Sequence, residues 1–302
     1  GQVVGIVDAF DDPNAESDLA VYRSEFGLPA CTTANGCFTK VSQSGSRTKF
    51  PKGNPNWAGE ISLDLDMASA ICPLCKIILV EASTNRLVSL AKSVDRAVAM
   101  GATVVSNSYG GTGGGGSNPG YDHPGTIITA SSGDSGYGYS SPCDYTTVVC
   151  IGGTSLKKGG GSRGWTESAW GGAGSGCAGL VNKPSWQTDA DCAHRSESDV
   201  SAVADPSTGV AFYDTYPSGG WGVIGGTSVS SPIIASVFAL AGNAASQNYA
   251  AGIWAAGGSS SLNDVTTGNN GSCPKKFPYI CKAGPGYDGP TGWGTPNGVG
   301  AF

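Results

Sequence analysis

Short Val/Ile-rich runs recur along this chain, each followed by a stretch with helical spacing, and that alternation admits few folds. Val3-Val4-Gly5-Ile6-Val7 closes on Asp8, and Ile127-Ile128-Thr129-Ala130 closes on Ser131-Ser132-Gly133-Asp134. Runs apolar on successive residues suit strands buried on both sides, which belong to mainly parallel sheets with helices on both faces. The pattern predicts strands over 2–7, 76–81, 103–106, 126–130, 147–151 and 209–213, and helices over 15–26, 57–70, 86–100 and 228–242. Segment 159–205, rich in Gly, Ser and Trp, is expected to form loops or hairpins along a cleft wall. The 302 residues exceed a typical domain, yet α/β folds reach this length as one unit. No convincing linker divides them, so 1–302 is expected to be one domain, and the glycine run over 110–117 reads as a surface loop.

Ser228 occupies Gly225-Gly226-Thr227-Ser228-Val229-Ser230-Ser231-Pro232, with the apolar run Ile233-Ile234-Ala235 directly behind it. A glycine turn lets backbone approach a ligand closely, and the helix that follows points free N–H groups at developing negative charge. A serine presented this way needs a base. Only His123 and His194 are present, both in polar or turn-like segments that suit solvated loop residues.

Carboxylates offer the alternative. Glu60 and Asp64 lie four residues apart behind Gly59, which marks the start of a helix and puts both on one face. Like charges at that spacing repel, so the pair is expected to share a proton. Asp134 follows a strand at its carboxyl end, where ligands bind in open α/β sheets. Two further sites compete for attention. Gly152-Gly153-Thr154-Ser155 repeats the string before Ser228, but no proline or apolar helix follows, and it reads as a strand-end turn. Asp8 ends the first strand, where a subtilisin keeps its triad aspartate. Without a histidine it is expected to cap the loop Phe10-Asp11-Asp12-Pro13.

With these motifs assembled, the chain resembles the sedolisins, or serine-carboxyl peptidases, acid-active relatives of the subtilisins. Glu60 to Asp64, Gly133 to Gly136 and Gly226 to Pro232 stand in the family's order, and the likeness covers essentially the whole chain. The resemblance implies a subtilisin-like α/β fold. It assigns Ser228 as nucleophile, Glu60 as general base and acid, Asp64 as its orienting partner and Asp134 as a protonated donor to the oxyanion. It also implies one structural calcium, held by the side chains of Asp264 and Asp288 and the carbonyls of Val265, Gly284 and Gly286. Oxygen donors of this kind suit a hard cation. Substrate is expected to lie extended along Ser106, Ser108, Tyr109 and Gly110 on one side and Ser132 and Gly133 on the other. Tyr109 stands where family members often carry tryptophan. The family is made with a prosegment, and the chain opens directly into a strand, as a mature form lacking prosegment and signal peptide would.

The reaction expected is hydrolysis of polypeptides by a secreted, acid-active, monomeric endopeptidase. Alternatives are a tripeptidyl-peptidase of the same chemistry and a catalytically silent, calcium-stabilised binding module. Charged residues make up 13% of the chain with a formal net charge of −6, and no basic stripe appears, which argues against nucleic acid. No run is long enough to cross a membrane. Ten cysteines point to an oxidising compartment. They fall into close couples, 31 with 37, 72 with 75, 143 with 150, 177 with 192 and 273 with 281, and local pairing is expected among the roughly nine hundred connectivities. Cys72-Pro73-Leu74-Cys75 also has the spacing of a redox or zinc motif, though no second Cys/His couple accompanies it.

Overall fold

The computed structural model describes residues 2–112, 116–160 and 162–302; Gly113 to Gly115 of the glycine run lie outside the described residues. The first half of the chain alternates strictly: β1 (Val3–Ala9), α1 (Ala15–Glu25), β2 (Phe38–Ser42), α2 (Pro55–Ile71), β3 (Lys76–Ala82), α3 (Leu87–Ala99) and β4 (Val104–Asn107). Next come β5 (Gly111–Thr112), β6 (Ile127–Ser131), β7 (Ser140–Ser141), β8 (Val149–Lys158), β9 (Trp165–Ala169), β10 (Gly176–Asn182), β11 (His194–Glu197) and β12 (Val200–Val203). The chain closes with β13 (Val210–Asp214), β14 (Gly220–Ile224), α4 (Thr227–Ala241), α5 (Ala251–Ala255), β15 (Leu262–Asn263) and β16 (Thr295–Pro296).

The central sheet runs β12-β8-β6-β4-β1-β3-β2 with every neighbouring pair parallel, and β9 adds to β8 antiparallel. Successive side chains of a strand point to opposite faces, and here both faces are buried. Val4, Ile6, Ile77, Leu79, Val104 and Ile127 pack with Leu19, Ile61, Leu65, Ile234 and Phe238 from α1, α2 and α4. Val7, Ile78, Val80, Val105 and Ile128 pack with Leu90, Val94 and Ala97 from α3. Parallel order places the carboxyl ends of β1, β4 and β6 along one edge, where Asp8, Ser108 and Asp134 emerge.

The α/β class and most elements match expectation, and five disulfides join the cysteines in the expected local couples. Cys72 and Cys75 are bonded to each other, which leaves no thiolate there for zinc. Four details differ. The edge strand β2 was hidden because Thr39 and Lys40 interrupt its apolar pattern. The short Ser/Ala-bearing β12 lies in segment 159–205, which read as loops and hairpins. Residues 209–213 extend as expected but pair with β14 in a separate hairpin. Residues Gly152 to Ser155 are no turn: β8 runs straight through them, and Ser155 donates to Asp205. Glycine is needed there because another loop crosses the strand. A Cβ on Gly152 would lie 2.3 Å from the Pro290 carbonyl oxygen, and one on Gly153 2.5 Å from the Ala204 Cβ.

The β13–β14 hairpin leads directly into Gly225-Gly226 and is tied down by acids. Asp18 accepts from the Thr215 N–H (2.7 Å) and hydroxyl (2.9 Å), and Asp66 accepts from the Tyr213 N–H (2.9 Å). These bonds fix the segment immediately before Ser228.

Gly152→Ala is expected to destabilise the fold by about 1–3 kcal/mol, as overpacking against fixed backbone does. Thermal unfolding of the purified variant measures this, and an unchanged Tm would contradict the close crossing at β8.

Candidate active site

Helix α2 brings the first two carboxyls to the sheet edge. Asn54 caps it, accepting from the N–H groups of Asn56 (3.0 Å) and Trp57 (3.3 Å), and Pro55 takes the first turn, where no N–H is required. The helix thus begins before Gly59, which sits inside it where Asp214 of the hairpin lies over its bare backbone. Glu60 and Asp64 share a face, and that face looks onto Asp8 at the end of β1. Asp8 and Asp64 are wholly buried, and among the described residues neither Asp8 oxygen nor Asp64 Oδ2 nor Glu60 Oε1 has a hydrogen-bond partner.

The electrostatic consequence follows from burial. Loss of solvent is the main cause that raises all three carboxyls above their ordinary range. Mutual repulsion adds to it: Glu60 raises Asp8, and both Asp8 and Glu60 raise Asp64. Glu60 is pushed up to about 7, with a hydrogen bond from the Ser228 hydroxyl pulling it back. Asp64 is pulled back by the Ser108 hydroxyl, which donates to Oδ1 at 2.7 Å. Groups coupled this tightly take up and lose protons as a unit.

Helix α4 delivers the serine. Gly226 precedes it with φ 121°, a conformation that favours glycine. Ser228 stands in the first turn, where backbone N–H groups have no partner within the helix. The Thr227 N–H and hydroxyl both donate to Asp134 Oδ1, at 2.7 and 2.9 Å, and the Thr227 hydroxyl accepts from the Gly133 N–H at 3.0 Å. Asp134 Oδ2 would lie only 2.7 Å from a Cβ on Gly226, so glycine lets this carboxyl come down beside the start of α4. The structure therefore brings Ser228, Glu60, Asp64 and Asp134 together from three separate segments.

Comparison with known proteins agrees with this geometry. A profile of the subtilase family matches residues 52–257. The chain belongs to the subtilase family. That membership puts it among serine-type peptidases with a subtilisin-like fold, and its likeness lies with the sedolisins. It is 29% identical to kumamolisin from Bacillus sp. (strain MN-32) over 99% of this chain and 59% of that protein. It is 32% identical to sedolisin from Pseudomonas sp. (strain 101) over 53% of this chain and 29% of that protein. The chain thus spans well under two thirds of both relatives. The solved Pseudomonas sedolisin complexed with two molecules of pseudo-iodotyrostatin superposes with a TM-score of 0.77 at 26% identity, covering 98% of this chain and 89% of that one.

In this subtilase, among the described residues, no hydrogen bond or ion pair joins either histidine to Ser228. His123 lies 3.0 Å from Asp95 on α3, and His194 is on β11, paired with β10 rather than in a solvated loop. Asp8 does not cap the Phe10 loop, since neither of its oxygens accepts a hydrogen bond. It belongs with Glu60 and Asp64, and its place at the end of a buried strand was the available signal. Of the residues expected along the substrate, Gly110 divides two cavities. One, of about 300 Å³, is lined by Trp57, Glu60, Ser108 and Tyr109; the other, of about 470 Å³, by Ser132, Gly133, Asp134 and Tyr139. Tyr109 turns its hydroxyl inward to Asn107 Oδ1 (2.6 Å) and Tyr121 (3.0 Å). Ser106 does not line the cleft: it is fully buried, and its hydroxyl pairs with that of Ser231 beneath α4. A larger cavity of about 560 Å³ between Phe26 and Trp221 contains none of the four side chains and lies apart from this chemistry.

The residues expected to hold calcium fit a hard cation in kind. Asp288 is buried, and burial raises it to about 7 with the Asp264 charge adding to the shift. The two carboxylates bracket one turn, Asp264 accepting from the Gly286 N–H (2.9 Å) and Asp288 from that of Gly284 (3.1 Å).

Carboxyls raised on folding bind more protons in the folded chain than in the unfolded one, so stability falls as pH rises between the two values. For Asp12 and Glu60, both raised to about 7, that window opens near the ordinary carboxylate range and closes near neutrality. The Tm of the Ser228→Ala protein, which cannot digest itself, is expected to decline steadily from pH 4 to pH 7. A Tm that rises over this interval would contradict the buried-acid account.

Proposed function

We propose that this chain is a secreted, acid-active serine-carboxyl endopeptidase. The observation that carries the reading is the convergence on the start of α4: Ser228 stands in its first turn, Asp134 is fastened to Thr227 beside it, and the Ser228 hydroxyl is near enough to Glu60 to lower its proton affinity. Ser228 Oγ attacks the carbonyl carbon of the scissile bond and passes its proton to Glu60. Negative charge grows on the carbonyl oxygen, which the free N–H groups of α4 face. Asp134 serves there only with a proton in place, since an ionised carboxylate would repel that charge. The C–N bond then breaks as Glu60 gives its proton to the departing amine, leaving an acyl ester on Ser228. Water, losing a proton to Glu60, hydrolyses the ester and restores the hydroxyl.

Glu60 works as part of the buried set. A second negative charge beside Asp64 and Asp8 in that dry site is costly, so the active form carries a single charge, on the group facing Ser228. Glu60, pushed up to about 7, carries that charge in only a minor share of molecules in acid, and this share is the reactive one. The five disulfides support an extracellular setting, and among the described residues no helix is long and apolar enough to cross a membrane. Polypeptides are the substrates, with the backbone between Gly110 and Gly133 as the seat of an extended chain, and the prosegment of such enzymes is the expected partner before maturation. The protein acts as a monomer.

Calcium belongs to the same proposal. Asp264 and Asp288, with the carbonyls of Val265, Gly284 and Gly286, would hold it, and the bound ion would offset the charge of the two carboxylates. Its role is structural, adding stability by linkage.

An internally quenched peptide blocked at its amino end is expected to be cleaved with a rate maximum in acid, and pseudo-iodotyrostatin to inhibit that cleavage. Ser228→Ala and Glu60→Ala lower kcat by roughly a thousand-fold or more, and Asp134→Ala costs about 3–4 kcal/mol of barrier, as loss of an oxyanion donor does. A maximum at or above neutral pH overturns the mechanism. Cleavage confined to unblocked peptides would make the chain a tripeptidyl-peptidase, and no cleavage at any pH would leave it a silent binding module.

Purified protein is expected to contain calcium, and chelation to lower its Tm. Metal analysis without calcium, together with a Tm unmoved by chelator, would remove the ion from the account.

A further inference from the structure

We propose that Ser108 is a positioning residue for proton transfer: its hydroxyl fixes Asp64 and reaches the backbone of Ser228, locking α2 to α4. The inference rests on the roles proposed above for Ser228 and Glu60. The sequence places Ser108 along the substrate; the residue does border the cavity beside Glu60, but it is only 5% exposed and its hydroxyl turns to Asp64.

Two observations converge on this hydroxyl. Among the described residues it supplies the one hydrogen bond that Asp64 receives, 2.7 Å to Oδ1, while Oδ2 has none. It also lies 3.3 Å from the Ser228 carbonyl oxygen. That carbonyl is available for a sequence reason. Its helical partner four residues on is Pro232, which has no N–H to donate. The proline of the Gly-Thr-Ser-x-x-x-Pro string thus leaves an acceptor free, and Ser108, emerging from β4, is there to meet it. A hydroxyl carries one hydrogen. The shorter contact takes it for Asp64, and the carbonyl receives the weaker share.

The groups facing Asp64 are Asp8 from β1 and Glu60 from its own helix, both acids that oppose its ionisation. Ser108 acts in the other direction. A donor to the ionised form favours that form, and fixing Oδ1 leaves Oδ2 as the oxygen that can share a proton with its neighbours. Removing the hydroxyl raises the proton affinity of the whole set, so the base becomes available only at higher pH.

The test compares Ser108→Ala with Ser108→Thr, which keeps the hydroxyl, after circular dichroism has checked the fold of each. Ser108→Ala is expected to lower kcat roughly ten- to a hundred-fold, the worth of a hydrogen bond to a charged group, with KM changed by less than about two-fold. The acid limb of its kcat/KM profile moves up by about one pH unit. Ser108→Thr recovers most of the rate and the original limb. Should threonine prevent folding, Ser108→Cys, a weaker donor, gives an intermediate limb. An unmoved acid limb in Ser108→Ala, or a raised KM at unchanged kcat, overturns the proposal, the latter marking a substrate contact. If the wild type shows no Ser228-dependent cleavage, the functional reading has failed on its own. Ser108 is then tested by carboxyl NMR in Ser228→Ala, where adding Ser108→Ala must raise the Asp64 midpoint, and an unchanged midpoint overturns the assignment.

Discussion

Three acids meet at the carboxyl edge of the sheet, Asp8 and Asp64 wholly buried and Glu60 half-buried against a cavity, and the rest of the site answers to that fact. Asp8, Glu60 and Asp64 come from a strand and a helix that the fold cannot separate, because β1 lies inside the sheet between β4 and β3 and α2 packs against it. Among the described residues, no lysine or arginine figures in the influences on their ionisation. Buried carboxyls without a cation keep their protons, and the pocket is a store of protons held within reach of Ser228. The hydrogen bonds that reach it come from hydroxyls, those of Ser108 and Ser228, which adjust proton affinity without cancelling charge.

Helix α4 joins this store to the place where charge must appear. Its first turn carries Ser228, its Thr227 anchors Asp134, and the bare backbone of Gly226 admits that carboxyl to close range. Pro232 breaks the internal bonding of the same helix one turn later, and the freed Ser228 carbonyl meets Ser108. The glycines and the proline of one short motif thus each answer a separate geometric need. Farther out, the hairpin before Gly225 is held through Asp18 and Asp66, so acids also restrain the approach to the nucleophile.

Much of this could be read from the chain. Successive apolar residues in β1, β3, β4 and β6 mark a sheet buried on both sides, and the spacing of Glu60 and Asp64 alone puts them on one helical face. Close cysteine couples gave the disulfides because the loops between them are too short for many other arrangements to compete. What escaped had physical reasons. Strand β2 lies at the edge, so Lys40 can reach Asp11 and blurs the alternation that marks a strand. Gly152-Gly153 resembled a turn because glycine signals turns and close crossings alike, and only the position of Pro290 separates the two. Asp8 was passed over because its partner is neither a histidine nor a sequence neighbour. Its importance comes from packing against α2, some fifty residues later. Ser106 and Ser108 are indistinguishable by type and, two residues apart, point to the same face; Ser106 lies within β4 against Ser231 of α4, while Ser108 lies past the strand end, where it reaches Asp64.

The central claim is that carboxyls, and no imidazole, hold and move the proton of Ser228. Its most direct test is infrared difference titration of the resting protein with isotope-labelled Asp and Glu, comparing the wild type with Glu60→Gln. The account predicts a protonated-carboxyl band, absent in Glu60→Gln, that persists as pH rises and fades only near pH 7. A Glu60-dependent band already gone in the ordinary carboxylate range, with the midpoint near 4.5, would contradict it.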